Sequence, residues 1–398
     1  MSSAKPAVEF DPRSPDFHRD PWSTYQAMHN DAPVYWSEQY QFWALSRFDD
    51  VRTALHDWET FSNEGGVVVG EGSFFKPFLL IMDPPYHTRL RRLMVDILTP
   101  RRFTSLEFVV REQAQRLLKP HLDKGEIDLA ADFGALLPMS IIGRLLGIPE
   151  AMDKQFIAWG HAIGNIDGTG GKEEGRRAVE AIQNIYQYYD EAFDQRQLEP
   201  TKDDVIGKIV ALEQSGEINR DEAIGFGFLI TIAGSETTTR LIGNMINLLD
   251  LHPTFKQDLL GDNSLIPSAV EETLRYDSPT YLETRTLKKD AELHGQIMKA
   301  GDKIALLFNA ANHDKRRFEE PDRYDIYRTM KLTGHMAFGG GPHACIGVQL
   351  ARMEARVAFE EVFRLLGDYQ LDRERAEHSF STNQRGWLKL PVSFKAAQ

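Results

Sequence analysis

The chain has 398 residues, of which 42% are hydrophobic and 26% charged, a balance typical of a globular enzyme with a sizeable core. Its formal net charge of −13 disfavours a nucleic-acid partner. The single cysteine excludes an intramolecular disulfide, and the polar N-terminus offers no apolar segment long enough for a signal peptide or membrane anchor. We therefore expect a cytoplasmic protein that does not insert into a membrane.

The first elements along the chain are a predicted hairpin and a predicted basic helix. Apolar residues 33–36 and 41–45 flank a polar turn, which indicates two antiparallel strands. A later helical pattern places His87 and Arg91 four residues apart, hence on one face. Such a pair either belongs to a solvated basic stripe or holds a partly buried carboxylate.

The longest predicted helix covers residues 221–250, roughly 45 Å at 1.5 Å per residue, and is apolar on most faces. Its centre, Ala233 to Thr239, is rich in glycine, threonine and acid, which are poor choices for a buried helix. The patch is either a polar crossing point between helices or a local opening of the helix. Leu229, Ala233 and Thr237 share one face.

Two further segments precede the cysteine. A helix over residues 268–276 carries Glu272 and Arg275, a spacing that is often no more than a surface ion pair. Residues 280–286, which include Tyr281 and Arg285, are predicted to be extended.

The only cysteine, Cys345, follows three consecutive glycines and precedes a predicted helix over residues 346–366. Unpaired N–H groups and the helix dipole at a helix start favour a thiolate over a thiol. One thiolate cannot build a four-cysteine metal site, although it can act as a nucleophile or bind a haem iron. The alternative is a buried structural cysteine.

The segment Phe-Gly-Gly-Gly-Pro-His-Ala-Cys-Ile-Gly, from Phe338 to Gly347, closely resembles the haem-binding loop of cytochrome P450. Three other segments resemble family motifs in the family's order: His-x-x-x-Arg from His87, Ala-Gly-x-Glu-Thr-Thr from Ala233, and Glu-x-x-Arg from Glu272. The likeness extends over almost the whole chain, from about residue 31 to residue 392.

The resemblance implies a mainly α fold with small β-sheets (α+β), in which a single triangular helical domain has a β-rich N-terminal side. Residues 1–30 would be an N-terminal extension and residues 31–398 the catalytic domain. It implies haem b, with an axial thiolate from Cys345. The remaining haem contacts implied are Phe338 in the loop and the propionate-binding residues His87, Arg91, Arg285 and His343.

The resemblance also assigns the other site residues. Thr237 would take part in oxygen activation through its hydroxyl, and Glu236 would connect proton delivery from solvent. Glu272 and Arg275 would serve folding and haem retention. The predicted substrate contacts are Leu229, Ala233, Tyr281 and Phe380.

The implied activity is insertion of one oxygen atom from O₂ into a C–H bond of a lipophilic small molecule. Because the chain carries no flavin or iron–sulfur motif, electrons would come from an external ferredoxin and its reductase, docked on a basic proximal face. The candidate members of that face are Arg89, Arg92, Arg101, Arg102 and Arg352. Alternatives are a peroxide-driven haem-thiolate peroxygenase and a non-catalytic haem-binding sensor, and the family implies a monomer.

Overall fold

The computed structural model describes residues 8–69, 79–163, 171–199, 204–330 and 334–395. These ranges contain fifteen α-helices and twelve β-strands. The helices are α1 (Pro15–Arg19), α2 (Trp22–Asp31), α3 (Phe48–His56), α4 (Tyr86–Ile97), α5 (Pro100–Ser105), α6 (Glu107–Leu118), α7 (Leu136–Leu146), α8 (Asp153–Ile163), α9 (Lys172–Leu198), α10 (Val205–Gln214), α11 (Arg220–Leu251), α12 (Pro253–Gly261), α13 (Ile266–Tyr276), α14 (Phe308–Asn312) and α15 (Val348–Leu366). The strands are β1 (Val34–Ser37), β2 (Phe42–Leu45), β3 (Phe61–Ser62), β4 (Glu126–Asp128), β5 (Leu282–Leu287), β6 (Ala291–Leu293), β7 (Gln296–Met298), β8 (Lys303–Leu307), β9 (Tyr369–Leu371), β10 (Glu377–Phe380), β11 (Arg385–Lys389) and β12 (Pro391–Phe394).

The largest sheet has five strands in the order β1-β2-β8-β5-β3. The hairpin of β1 and β2 has the antiparallel pairing that the sequence predicts, with Val34 opposite Leu45. β2 then runs parallel to β8, which pairs antiparallel with β5. This sheet therefore brings the N-terminal strands beside the segment that carries Arg285.

The N-terminal residues that precede β1 are part of this packing. Phe10, Phe17, Tyr25 and Met28 are buried in one cluster with residues of β2, β5 and β8. Residues 8–31 therefore cover one face of the five-stranded sheet and are not a separate tail.

The long helix α11 begins and ends within a residue of the predicted bounds. Its N-terminus carries a capping box, in which the Asn219 side chain accepts from the backbone of Glu222 and the Glu222 side chain accepts from the backbone of Asn219. The helix is continuous through Ala233–Thr239, so the local opening that we considered does not occur in this structure. Instead, the hydroxyls of Thr237 and Thr239 donate to the carbonyls four residues earlier, at 2.7 and 3.0 Å.

Among the described residues, one helical stretch, Leu129–Leu146, is both long enough and apolar enough to cross a membrane. Of this stretch, 72% is buried inside the fold. It begins with a π-helical segment, Leu129–Gly134, and continues as α7. Both parts pack against α11 and belong to the main hydrophobic cluster, as a core helix does. The architecture is thus helix-rich with small sheets.

Candidate functional site

The cysteine loop is held in shape by its own backbone. The N–H of Cys345 donates to the carbonyl of Phe338 at 3.0 Å, which closes the loop across the glycines. Gly341 has φ +62°, and a Cβ there would lie 2.1 Å from the carbonyl oxygen of Leu55. Glycine is therefore required at this position, because any larger residue would push the loop away from α3.

Cys345 is exposed as a residue, although protein atoms surround its thiol group. Burial raises the pKa of the thiol, and the N–H of Gly347 and the charge of Arg91 oppose that rise only in part. The N–H of Gly347 at the start of α15 favours the thiolate, as the sequence predicts, but burial is the larger effect on the side chain.

His87 on α4 and His343 in the cysteine loop lie against each other, with ring centroids 4.0 Å apart. Both ring nitrogens of His87 and the Nε2 atom of His343 are buried without a hydrogen-bond partner. Burial, followed by the charge of Arg91, lowers the pKa of His87 to about 4. Burial, followed by His87 and the charges of Arg285 and Arg91, lowers the pKa of His343 to about 3. Both rings are therefore neutral and retain unused hydrogen-bonding capacity.

Two arginines complete this cluster. Arg91 donates to the carbonyl of Ala344 in the cysteine loop. Arg285 on β5 is 2% exposed and its charge acts on His343. Its Nη1 donates to the carbonyl of Thr284 at 2.7 Å and its Nη2 to Glu283 at 3.2 Å.

The residues of this cluster fit a metal-centred group that carries carboxylates. Buried polar atoms without partners are rare in native proteins, and here three ring nitrogens stand beside two guanidinium groups. Carboxylates would satisfy these donors, and the adjacent sulfur of Cys345 can bind a metal. Sequence reasoning named all five side chains, and the structure brings them together.

The middle of α11 is less buried than the helix on either side of it. The helix is buried from Glu222 to Phe228 and again from Thr238 to Leu249, whereas Ala233 between them is exposed. Leu229 and Thr237, one turn away on each side, are half-buried. The three residues that we predicted to share a face therefore form the accessible stripe of this helix.

Glu236 lies beside this stripe in an ion pair with Arg240, with Oε1 and Nη2 2.9 Å apart and both side chains under 10% exposed. The sequence analysis did not single out Arg240, although its spacing of four residues from Glu236 is the signal for such a pair. It also did not single out His161 on α8, whose pKa is lowered by burial while Glu236 acts to raise it and Arg240 to lower it. No local sequence pattern connects α8 with this part of α11.

The other two predicted substrate contacts lie elsewhere. Tyr281 has no accessible surface and belongs to the N-terminal cluster, where its hydroxyl is 3.5 Å from the carbonyl of Pro12. Substrate could reach it only if this cluster moved. Phe380 ends β10, and its side chain lies outside the described part of the structure.

Glu272 and Arg275 are both fully buried, so they are not a surface ion pair. Two nitrogens of Arg275 donate to the two carboxylate oxygens of Glu272 at 2.8 Å. Arg275 also donates to the carbonyls of Asn312 and Pro321, at 2.9 and 2.8 Å. The pair thus fixes α13 to the segment that leads to the cysteine loop.

Two of the five arginines predicted for a docking face are engaged inside the molecule. Arg89 binds Glu222 at 2.5 Å, and Arg352 binds both oxygens of Glu271 at 2.5 and 2.7 Å. Arg92 and Arg101 are exposed, and Arg102 is half-buried. Arg92 on α4 and Arg101 and Arg102 on α5 therefore present surface to a partner, and Arg89 remains 41% exposed beside Glu222.

The comparisons with known proteins agree with this site. The family model for cytochrome P450 matches residues 171–395. The chain is 35% identical to "Putative cytochrome P450 123" of Mycobacterium tuberculosis, over 98% of both chains. It is 33% identical to "Erythromycin C-12 hydroxylase" of Saccharopolyspora erythraea, over 92% of both. Among solved structures, CalO2 matches with a TM-score of 0.89 and 30% identity, over 97% of this chain and 99% of that chain.

Identity of this level over nearly the full length, together with the matching fold, confirms the resemblance that the four motifs indicated. Members of this family hold a haem through a cysteine thiolate, use O₂, and receive electrons from a redox partner. The chain belongs to the cytochrome P450 family of monooxygenases.

Proposed function

We propose that this P450 inserts one oxygen atom from O₂ into a C–H bond of a lipophilic small molecule, with electrons from a ferredoxin and its reductase. The observation that carries the proposal is the convergence of Cys345, the unpaired nitrogens of His87 and His343, and the charges of Arg91 and Arg285. These residues would hold haem b by its iron and its propionates. Bound haem supplies the oxidising chemistry, which the thiolate promotes by donating electron density.

Each of these residues has a separate task in the proposal. Cys345 provides the axial sulfur, and the loop closed by Phe338 keeps other groups away from it. His87 and His343 donate hydrogen bonds to carboxylates, while Arg91 and Arg285 neutralise their charge. Because three ring nitrogens of His87 and His343 are already in place and lack other partners, binding a carboxylate group there requires little rearrangement of the two rings.

The accessible stripe of α11 forms the opposite wall of the proposed reaction space. Thr237 donates a hydrogen bond to the carbonyl of Ala233 at 2.7 Å, and its oxygen can accept a hydrogen bond from water or from protonated Glu236. To deliver a proton, the hydroxyl would turn away from that carbonyl. A hydroxyl that both accepts and donates can pass a proton onward. Leu229 and Ala233 present an apolar surface beside it, which suits a lipophilic substrate.

Further parts of the proposal concern partners and location. The exposed arginines near α5 would attract an acidic ferredoxin, because complementary charge accelerates encounter. We also propose a monomeric cytoplasmic enzyme with one catalytic domain. The related hydroxylase is named for a macrolide, erythromycin, which supports a lipophilic substrate class for this chain.

The proposal is tested with the haem-loaded protein, a surrogate ferredoxin and reductase, and a panel of lipophilic compounds chosen by their effect on the ferric spectrum. With isotopically labelled dioxygen, the product should carry one labelled oxygen atom, and Cys345→Ser should form none. Product that appears equally well with hydrogen peroxide and no reductase would instead support a peroxygenase. Binding without any oxidation would support a sensor.

A further inference from the structure

A charged cluster lies beside the cysteine loop and is centred on one carboxylate. Glu271 on α13 accepts from two nitrogens of Arg352 on α15, from Nε at 2.5 Å and from Nη2 at 2.7 Å. The same carboxylate lies 3.3 Å from Nε2 of His335, in the segment that leads into the loop. Three segments that are distant along the chain therefore meet at Glu271.

The hydrogen bonds of His335 fix its tautomer. Its side chain is 1% exposed, and its Nδ1 accepts from the N–H of Ala337 at 3.2 Å. A nitrogen that accepts a hydrogen bond carries no proton, so the proton of the neutral ring is on Nε2, which donates to Glu271. His335 therefore fixes the carboxylate without adding a charge to the cluster.

Both partners of Glu271 contact the ring of Phe338 in the cysteine loop. The guanidinium carbon of Arg352 lies 5.1 Å from the ring centroid, within the range of a cation–π contact. The ring of His335 has its centroid 5.9 Å from that of Phe338. Because the carbonyl of Phe338 accepts the N–H of Cys345 at 3.0 Å, a continuous chain of contacts joins the charged pair to the cysteine.

Arg352 is thus a fixed positive charge beside the loop. The side chains of Arg352 and Glu271 are each 17% exposed, and the two-point contact between them holds the guanidinium in one orientation. Burial raises the pKa of the Cys345 thiol, and the charge of Arg352 is among the effects that oppose this rise. A guanidinium held in this way is poorly placed to bind a partner protein and well placed to act on the sulfur.

We propose that Glu271 holds Arg352 over Phe338 so that the positive charge of Arg352 sets the reduction potential of the haem iron that Cys345 would bind. The inference rests on the proposed function, in which Cys345 is the axial ligand. Arg352 acts on the iron through its charge and through the loop, so it is a positioning residue, and Glu271 acts through Arg352.

Electrostatics gives the direction of the effect. When the ferric iron takes up one electron, the charge of the site becomes more negative by one unit, so a nearby cation favours the reduced form and raises the potential. The carboxylate of Glu271 has the opposite effect. The net shift is upward if the guanidinium is held closer to the loop than the carboxylate is, and the contact of Arg352 with the ring of Phe338 supports this order.

The potential is measured by spectroelectrochemical titration of the haem-loaded protein without substrate. Arg352→Gln should lower the equilibrium constant for reduction about tenfold, which is about 59 mV for one electron and the size expected of one partly buried charge. Arg352→Lys keeps a charge at this position and should recover more than half of the shift. Glu271→Asp keeps both charges but draws the guanidinium away from Phe338, so it should give a smaller downward shift.

A matched control is available on the same helix. Arg356 lies one turn further along α15, where it binds Glu107 and Glu360 at 2.7 Å each. Its side chain is 26% exposed, so it resembles Arg352 in burial and pairing. Arg356→Gln should leave the potential nearly unchanged.

Four results would overturn the proposal. The first is a wild-type potential in Arg352→Gln, and the second is slower reduction by ferredoxin at an unchanged potential, which would make Arg352 a docking residue. The third is an equal shift in Arg352→Lys and Arg352→Gln, which would assign the effect to packing. The fourth is a wild-type potential in Glu271→Asp, a result that decides the matter even if Arg352→Gln fails to retain haem.

The carbon monoxide spectrum separates this inference from the proposed function. If the haem-loaded wild type lacks a thiolate-type spectrum, the proposed function fails and the inference fails with it. If that spectrum is present but the potential does not respond to Arg352→Gln, only the inference is wrong.

Discussion

The rings of His87 and His343 lie 4.0 Å apart, and three of their four nitrogens have no hydrogen-bond partner although they are buried. Contact between two neutral imidazoles contributes little to the stability of the fold, whereas buried nitrogens without hydrogen bonds cost free energy. The arrangement is therefore understandable as a receptor for carboxylates that also contact Arg91 and Arg285. This relationship leads to the first two predictions.

Replacement of His87 by Phe should weaken haem retention. The variant removes one hydrogen-bond donor to a carboxylate while it keeps the ring volume, so we expect haem loss to accelerate roughly tenfold. The rate is measured by transfer of haem to an excess of apomyoglobin. His294→Phe, a substitution at an exposed ring, is the control, and equal rates for the two variants would contradict the assignment of His87.

His87 should also make stability depend on pH when haem is absent. The unfolded chain protonates this ring near the ordinary pKa of 6.5, whereas the folded chain does so only near pH 4. Between these values the unfolded state binds more protons, so the free energy of unfolding should fall as the pH falls, by at most about 1.4 kcal/mol per pH unit from this group. Urea unfolding of the haem-free protein should show a smaller slope in His87→Phe. An unchanged slope would mean that the ring is not buried in neutral form.

Thr237→Ala should uncouple electron use from product formation. Loss of the hydroxyl interrupts proton transfer beyond Glu236, so more electrons should appear as hydrogen peroxide, and product formation should fall about tenfold or more. The ratio of peroxide to reductant consumed measures this effect. Thr238→Ala is a matched control, since Thr238 is a neighbouring threonine that is 3% exposed. If both variants stayed coupled, Thr237 would have no part in proton delivery.

Arg275→Ala should be severely destabilising. It would leave the fully buried carboxylate of Glu272 without its bidentate partner, for which we expect a loss of about 3–5 kcal/mol in the free energy of unfolding. Arg323→Ala, which breaks the exposed pair with Glu320, should cost no more than about 1 kcal/mol. Thermal unfolding of the two variants measures the loss of stability in each. Similar losses for both would show that the buried pair stabilises the fold no more than the exposed pair does.

Charge reversal at Arg92 and Arg102 should slow reduction by an acidic ferredoxin severalfold at low ionic strength. The difference should shrink as salt is added, because screening weakens long-range attraction. Stopped-flow reduction under carbon monoxide gives the rate. Arg19→Glu, at an exposed side chain of helix α1, should leave the rate unchanged. A rate and salt dependence equal to those of the wild type would exclude this face as the docking site.

Features that depend on a local sequence pattern could be predicted from the sequence alone. The bounds of α11 followed from apolar periodicity. His87, Arg91, His343 and Cys345 were named from two of the four motifs, and Arg285 from the resemblance of the extended segment 280–286. The resemblance to the family made it possible to predict that these motifs, although distant along the chain, meet in one site. Structure and comparisons then confirmed the fold class.

Three features could not be predicted because they depend on packing between distant segments. Tyr281 faces away from the proposed reaction space because Phe17 and its neighbours cover that side of the sheet. The pKa of Cys345 is raised because surrounding protein outweighs the helix start. The charge of Glu236 acts on His161 only because α8 packs on α11.

The central claim is that Cys345 binds the iron of a haem as a thiolate. The most direct measurement reduces the purified protein with dithionite, adds carbon monoxide and records the difference spectrum. The account predicts a strongly red-shifted Soret band, which Cys345→Ser should abolish, because Cys345 is the only cysteine in the chain. A band typical of histidine-ligated haem in the wild type, or no haem at all, would contradict the account.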